Sequence, residues 1–297
     1  MTTAHPPIAA PAADPRGIAL VLASTVAWGS AGLLVRLLPF DIWTICFWRG
    51  VFGLFFISLY MAWRYGARTF AAISGLGWDG LLAVVFSTLL IILFPAAFQF
   101  TSVANVFAVY GAFPFVTAAI AWLWIGEKPS RLTVIASLGA LAGFAVMFGP
   151  GAAAPQLGDL MALLATISAA LMTVAVRRAR NVEMVPVAAL SMLLSIAVAY
   201  PLATHLWDLA PRHYLVEAAF GLGPMTLGLM LYIIGSAMIP SALASLIGMA
   251  EVPIGMIWPW VGIGEVPAVP TMTGGAIVLA AVVARMALER RVVAKAA

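Results

Sequence analysis

Apolar runs long enough to cross the hydrocarbon core of a bilayer recur along the whole chain, with only short polar interruptions between them. About 20 residues make one helical crossing. The runs predict helices over 17–38, 41–63, 78–99, 104–125, 132–148, 158–176, 184–202, 213–235, 240–261 and 271–288. Several carry Gly or Pro at mid-span, which membrane helices tolerate because neighbouring helices re-satisfy the freed backbone groups. The expected fold is an all-α membrane protein of ten transmembrane helices. Residues 1–16, rich in Ala and Pro and without periodicity, read as a disordered tail, and 289–297 as a basic one. Arg16 abuts a first run long enough to span, so that helix is expected to stay rather than be cleaved as a secretory signal.

Composition agrees with a lipid solvent. Hydrophobic residues make up 64% of the 297 and charged ones 9%, with a mean hydropathy of +1.09. Soluble domains are nearer 45–50% apolar and about 25% charged. The net charge of +4 does not signal nucleic acid, because the basic residues sit singly or in short groups beside the apolar runs. With the amino terminus inside, twelve of the fifteen Lys and Arg fall on the cytoplasmic side, among them Arg64, Arg68, Arg177, Arg178 and Arg180. Arg36 and Arg212 fall outside and Arg49 lies within the second helix. Both termini are therefore expected in the cytoplasm, with the protein in the inner (plasma) membrane. A single cysteine, Cys46, excludes an intramolecular disulfide and a multi-cysteine metal site.

The chain repeats itself at a period near 140 residues. Pro114 precedes Gly126-Glu127-Lys128-Pro129 at the end of helix 4, and Pro253 precedes Gly264-Glu265-Val266-Pro267 at the end of helix 9. Leu22-Ala23-Ser24-Thr25 with Arg36 likewise aligns with Leu164-Ala165-Thr166-Ile167 and Arg178. Five helices is an odd number, so a tandem copy enters the membrane the other way up, an architecture common in secondary transporters. The expected units are 17–149 (helices 1–5) and 156–288 (helices 6–10).

On these motifs, from about residue 17 to 288, the chain resembles the drug/metabolite transporter superfamily and its ten-helix EamA-type members. In general character it is most similar to the YddG-type aromatic amino-acid exporters. The resemblance implies a cavity between two four-helix sets, braced by helices 5 and 10, and export of amino acids, with aromatic ones expected, by alternating access. A permease for another small metabolite or a drug is the alternative, with a membrane-embedded enzyme or scaffold more remote.

Candidate residues are the polar and aromatic groups that hydrocarbon penalises or that form one helix face. An ionisable side chain at the bilayer centre costs about 2.5–3.5 kcal/mol on insertion scales. Arg49 either holds a substrate carboxylate, pairs with Glu251, or ties down backbone carbonyls; Glu251 either carries a coupling proton or caps the break made by Pro253. Phe107, Tyr110, Pro114 and Thr117 recur at helical spacing as one stripe, readable as cavity wall or as packing. Thr88 and Gln99 on helix 3, Trp28 on helix 1, Ser195 on helix 7 and Tyr232 on helix 8 complete the expected lining. Glu127 and Glu265 terminate helices 4 and 9, where the dipole disfavours a carboxylate, so a structural clamp at opposite faces is expected. Pro114 and Pro253 belong to that structural set, while Ser241 and Ser245 head a small-residue stripe on helix 9 that favours close packing.

Neither a P-loop nor an HExxH motif is present, so ATP-driven pumping and zinc proteolysis have no basis, and no enzyme activity or cofactor is expected. His5, His205 and His213 lie in the tail or outer region, away from any intramembrane metal site. The expected partners are a small solute and lipid.

Overall fold

The computed structural model describes residues 14–129, 131–148, 156–178, 183–239, 244 and 247–296, and among them every regular element is helical. α1 (Pro15–Gly29) continues past a break at Ser30 as α2 (Ala31–Arg36). α3 (Ile42–Tyr65) leads through a short 3-10 turn into α4 (Thr69–Ser74). α5 (Gly77–Phe100) is followed by α6 (Val103–Tyr110), α7 (Phe113–Ile125) and α8 (Arg131–Phe148). The second half holds α9 (Leu157–Arg178), α10 (Met184–Ala199) and α11 (Pro211–Phe220). A π-helical stretch, Gly221–Leu227, joins α11 to α12 (Gly228–Ala237), and α13 (Glu251–Ile263) and α14 (Val269–Ala296) end the chain.

Six of these units are long and apolar enough to cross a membrane, or seven if the bent pair α6–α7 counts as one. Length and composition among the described residues thus stop short of the expected ten. The fourth expected span, 104–125, bends by 40° between α6 and α7, where the ring of Pro114 removes an N–H donor. α10 has 16 residues, roughly 24 Å of helix at 1.5 Å per residue. Pro240, Ser241 and Ser245 of the ninth span lie outside the described residues, as do residues 1–13 and Arg180. α14 carries helix into the expected tail, to Ala296.

Contacts between helix ends reveal the direction of each unit. At one face, Arg36 at the end of α2 meets Thr101 after α5 and Glu265 after α13, and Glu265 accepts from Val103 at the start of α6. Asp41 before α3 binds Thr204 after α10 at the same face, and Phe40 packs its ring on His213 of α11. Asp159 at the start of α9 accepts from Thr101 there as well. At the opposite face Arg177 and Arg178, ending α9, reach Glu127 after α7 and Asp79 at the start of α5. Tyr65, ending α3, bonds Glu183 before α10. Units α1–α2, α3, α5 and α6–α7 therefore run opposite to α9, α10, α11–α12 and α13, their counterparts one repeat later. The repeat is inverted.

The two halves cross where side chains vanish. A Cβ on Gly17 would lie 3.0 Å from the carbonyl oxygen of Gly235, and one on Gly143 would lie 2.7 Å from that of Gly274. These contacts seat α1 on α12 and α8 on α14. Small residues let backbones approach in lipid, where no hydrophobic force drives helix to helix. The outward side chains suit that medium: Trp63, Leu123 and Val261 are about four-fifths exposed.

Equivalent caps mark the repeat. Gly126 (φ 74°) and Gly264 (φ 72°) stop α7 and α13 in the left-handed region that a glycine enters without strain. The next N–H in each case turns back six residues: Glu127 donates to Ala121 at 3.2 Å and Glu265 to Pro259 at 3.2 Å.

Asp41 secures the other end of α3. Its carboxylate accepts from the backbone of Trp43 and Thr44 at 3.0 Å and from the Thr44 and Thr204 hydroxyls at 2.6 and 2.7 Å. Burial alone would raise its pKa, but the Thr44 and Thr204 hydrogen bonds outweigh it and hold the group below its ordinary 3.8. A depressed carboxylate contributes stability above its unfolded pKa and loses it as pH falls through the folded one. Asp41→Ala should cost about 1 kcal/mol at neutral pH, the usual loss of a helix N-cap. In thermal melts of the purified protein that difference should shrink as pH drops below 3.8.

Candidate functional site

Five of the expected lining residues meet near mid-depth where the halves join. Trp28 of α1 lies against Tyr232 of α12, ring centroids 5.3 Å apart, and Gly228 gives the indole room. Tyr110 of α6 stacks on Phe113 at 5.6 Å, meets Phe94 edge-on at 5.1 Å and lies within electrostatic reach of Glu251 and Tyr232. The Phe107 ring fills the space that a side chain at Gly255 would take, and Gly255 in turn backs Gly29 of α1. Both halves thus supply aromatic walls, and Glu251 supplies a carboxylate at the start of α13, two residues before Pro253.

The remaining candidates lie elsewhere. Thr88 is buried between α5 and α10, donating to Val84 at 2.8 Å and Ser191 at 3.4 Å. The Thr117 hydroxyl returns to its own helix, to Phe113 at 2.8 Å. Gln99 bonds the Phe40 carbonyl at 2.8 Å and lines a shallow depression of about 680 Å³ at the Arg36 face, with Arg36, Thr101, Gln156 and Glu265. Arg49 is 2% exposed and forms no ion pair with Glu251; it donates to the Ile91 carbonyl and lies 5.1 Å over the Phe220 ring. Ser195 is fully buried on α10, the helix packed along α3.

The approach from the Arg36 face is packed shut. One apolar cluster there draws on α2, α3, α5, α6, α9, α11 and α13, through Val35, Ile45, Phe98, Phe107, Phe220 and Val252 among others. Toward the other face the clusters are smaller and separate, as between α3 and α10 at Ile57, Met61, Val185 and Met192. The polar clamps follow the same asymmetry. Glu265 accepts from Arg36 Nε at 3.0 Å and from the Val103 N–H at 2.7 Å, while Arg36 also donates to the Thr101 carbonyl at 2.9 Å. Its counterpart Glu127 pairs with Arg177 at 2.8 Å, with side chains 46% and 61% exposed. Exposed pairs contribute about 0–1 kcal/mol, so the firmer lock is at the Arg36 face. Both glutamates work as clamps at opposite faces, each with a basic partner from the end of a neighbouring unit.

Two buried acids escaped the reading of the sequence. Asp159, one turn into an apolar run, gathers donors from Thr101 at 2.8 Å, Asn105 at 3.3 Å and the Gln156 N–H at 2.8 Å. Asn105 also accepts from Thr271, which ties α14 into that network. Glu217, inside α11, is fully buried. A carboxylate within an apolar run was the available signal for each.

Comparison with known proteins fits this inverted pair of bundles. The model of the EamA-like transporter family matches residues 15–149 and again 156–285. The chain belongs to that family. Each half is one EamA repeat, and this EamA-family protein is a multi-pass membrane transporter of small molecules rather than an enzyme. No curated protein matches it. Nineteen chains of solved structures do. One crystal structure shares 17% identity with a TM-score of 0.56, over 93% of this chain and 98% of its own, which shows a common fold and nothing of the cargo.

Cys46 is buried in the closed arrangement and is the chain's one cysteine, so it reports opening. In the wild type it should react slowly with a membrane-impermeant maleimide. Glu265→Ala, which removes both the ion pair and the acceptor for Val103, should speed labelling several-fold from the Arg36 face. An unchanged rate would separate the clamp from closure.

Proposed function

We propose that this EamA-family protein exports amino acids, aromatic ones above all, through ten spans in the inner (plasma) membrane. The units are 17–149 and 156–288, each of five helices. Both termini and the Arg177 face lie in the cytoplasm, in keeping with the twelve basic residues on that side. The solute enters between the repeats from that face, and alternating access follows from releasing the Arg36 clamp while the Glu127–Arg177 side closes.

The observation that carries the reading of the substrate is the lining at the junction of the halves. Trp28, Tyr232, Tyr110 and Phe107 offer ring faces and edges from both repeats, and Glu251 lies close to Tyr110 in the same region with a carboxyl group to accept from an ammonium. An apolar wall with few polar groups suits a flat, amphipathic solute. Residues on opposite repeats hold such a solute only while both contact it, so substrate binding is linked to the relative position of the halves.

Purified protein in vesicles should show saturable efflux of labelled tryptophan or phenylalanine that unlabelled aromatic amino acids compete. Tyr110→Ala should lower kcat/KM about fivefold, the equivalent of one aromatic contact of about 1 kcal/mol, with the folded yield preserved. A thermal-shift screen over the amino acids with no response to any of them would count against the reading, and so would unchanged Tyr110→Ala kinetics.

A further inference from the structure

Among the described residues, the buried side-chain polar atoms without a hydrogen-bond partner are Arg49 Nε, Ser195 Oγ, His213 Nδ1 and both carboxylate oxygens of Glu217. All belong to α3, α10 and α11, and α3 packs against both of the others. Arg49 and Glu217 each lie six or seven residues below the Arg36 face, roughly 10 Å at helical rise.

Glu217 is the outlier. Leaving an ionised carboxylate buried without a single donor is among the costliest arrangements a protein can hold. Asp159, 8% exposed, has three donors; Glu217, 0% exposed, has none. The nearest cation is Arg49, which is electrostatically coupled to Glu217 but forms no ion pair with it. Arg49 commits Nη2 to the Ile91 carbonyl and keeps Nε free. Glu217 is wholly enclosed at 0% exposure, so in this arrangement an organic solute has no room beside it. A proton is the ligand that fits.

We propose that Glu217 is the proton-carrying group of this transporter, with Arg49 as its alternate partner and His213 as its connection to the Arg36 face. The inference rests on the transport reading above. In the closed arrangement Glu217 holds a proton on one carboxylate oxygen. When the seam between α3 and α11 shifts, the O–H bond breaks, the proton leaves to water, and the resulting carboxylate pairs with the free Nε of Arg49. Rebinding a proton from the other side releases Arg49 again. His213 stands one turn from Glu217 toward the face; its Nε2 accepts from Arg212 Nε at 3.2 Å, which leaves the proton of the neutral ring on the orphaned Nδ1. The π-helical stretch directly after α11 loosens the backbone at this point, as such bulges do at functional positions. The elements packed on α11 are α2, α3 and that stretch. Their charged or titratable groups are Arg36 on α2 and the capping Asp41, Cys46, Arg49, Tyr60, Arg64 and Tyr65 on α3, with Arg212, His213 and Tyr214 on α11 itself.

Infrared difference spectra of the full protein in lipid vesicles, taken from neutral to strongly alkaline pH, test the site without any solute. The wild type should lose the carbonyl band of a buried protonated acid, and Glu217→Gln should lack that band. A wild-type spectrum with no band that depends on Glu217 would overturn the proposal. Should Glu217→Gln fail to fold, Glu217→Asp should shift the band and its midpoint; an unshifted band would equally overturn it. In vesicles carrying labelled tryptophan, the ratio of pH-gradient-driven accumulation to tryptophan exchange should fall on the order of tenfold in Glu217→Gln, as for loss of an intramembrane proton relay. An unaltered ratio would reject the coupling role. A wild type that moves no tryptophan would instead sink the substrate reading, while the infrared band still decides Glu217.

Discussion

Hydrocarbon supplies no hydrophobic force between helices and no water for a stray backbone group, and both constraints shape this molecule. Every regular element among the described residues is a helix, and the halves meet by backbone proximity at Gly17–Gly235 and Gly143–Gly274. A methyl group at any of these positions would push a carbonyl or its neighbours away. Close crossings of this kind hold two oppositely directed bundles together while leaving the space between them to larger side chains. The aromatic junction and the clamps at each face depend on that spacing.

Polar groups are placed against the same background. Glu265, Arg36, Val103 and Thr101 satisfy one another at the Arg36 face, and Asp159 draws in α5, α6 and, through Asn105, α14. These networks gather six units into one closed end. Among the described residues the opposite end has an exposed Glu127–Arg177 pair, an Arg178–Asp79 pair at 3.5 Å and the Tyr65–Glu183 bond. The repeat therefore gives equivalent residues unequal surroundings. The seam at α3, α10 and α11 departs from the rule of satisfied polar groups, and departures of that kind concentrate where a group must change partners.

Much of this was legible in the chain. The apolar runs marked the helices because a bilayer demands roughly constant length, and a proline followed by Gly-Glu marked equivalent ends because a left-handed cap suits glycine. Trp28, Phe107, Tyr110, Tyr232 and Glu251 do meet in space. Thr88, Thr117 and Gln99 had the same credentials in sequence, yet their hydrogen bonds go to backbone carbonyls. Helical spacing identifies a face but not the neighbour it meets. Glu217 and Asp159 look alike as lone acids in apolar runs, and only their surroundings distinguish a fully bonded carboxylate from an orphaned one.

The amino-acid order by itself determined the solvent, the helical class, the inverted duplication and the residues that end helices 4 and 9. Each follows from local length, composition or backbone preference, properties that a segment carries with it. Tertiary structure alone decided that Arg49 turns to Ile91 rather than Glu251, that the Arg36 end is the closed one, and which acids find donors. Those outcomes depend on which helices become neighbours, and in lipid that choice is made by the fit of surfaces from distant parts of the chain.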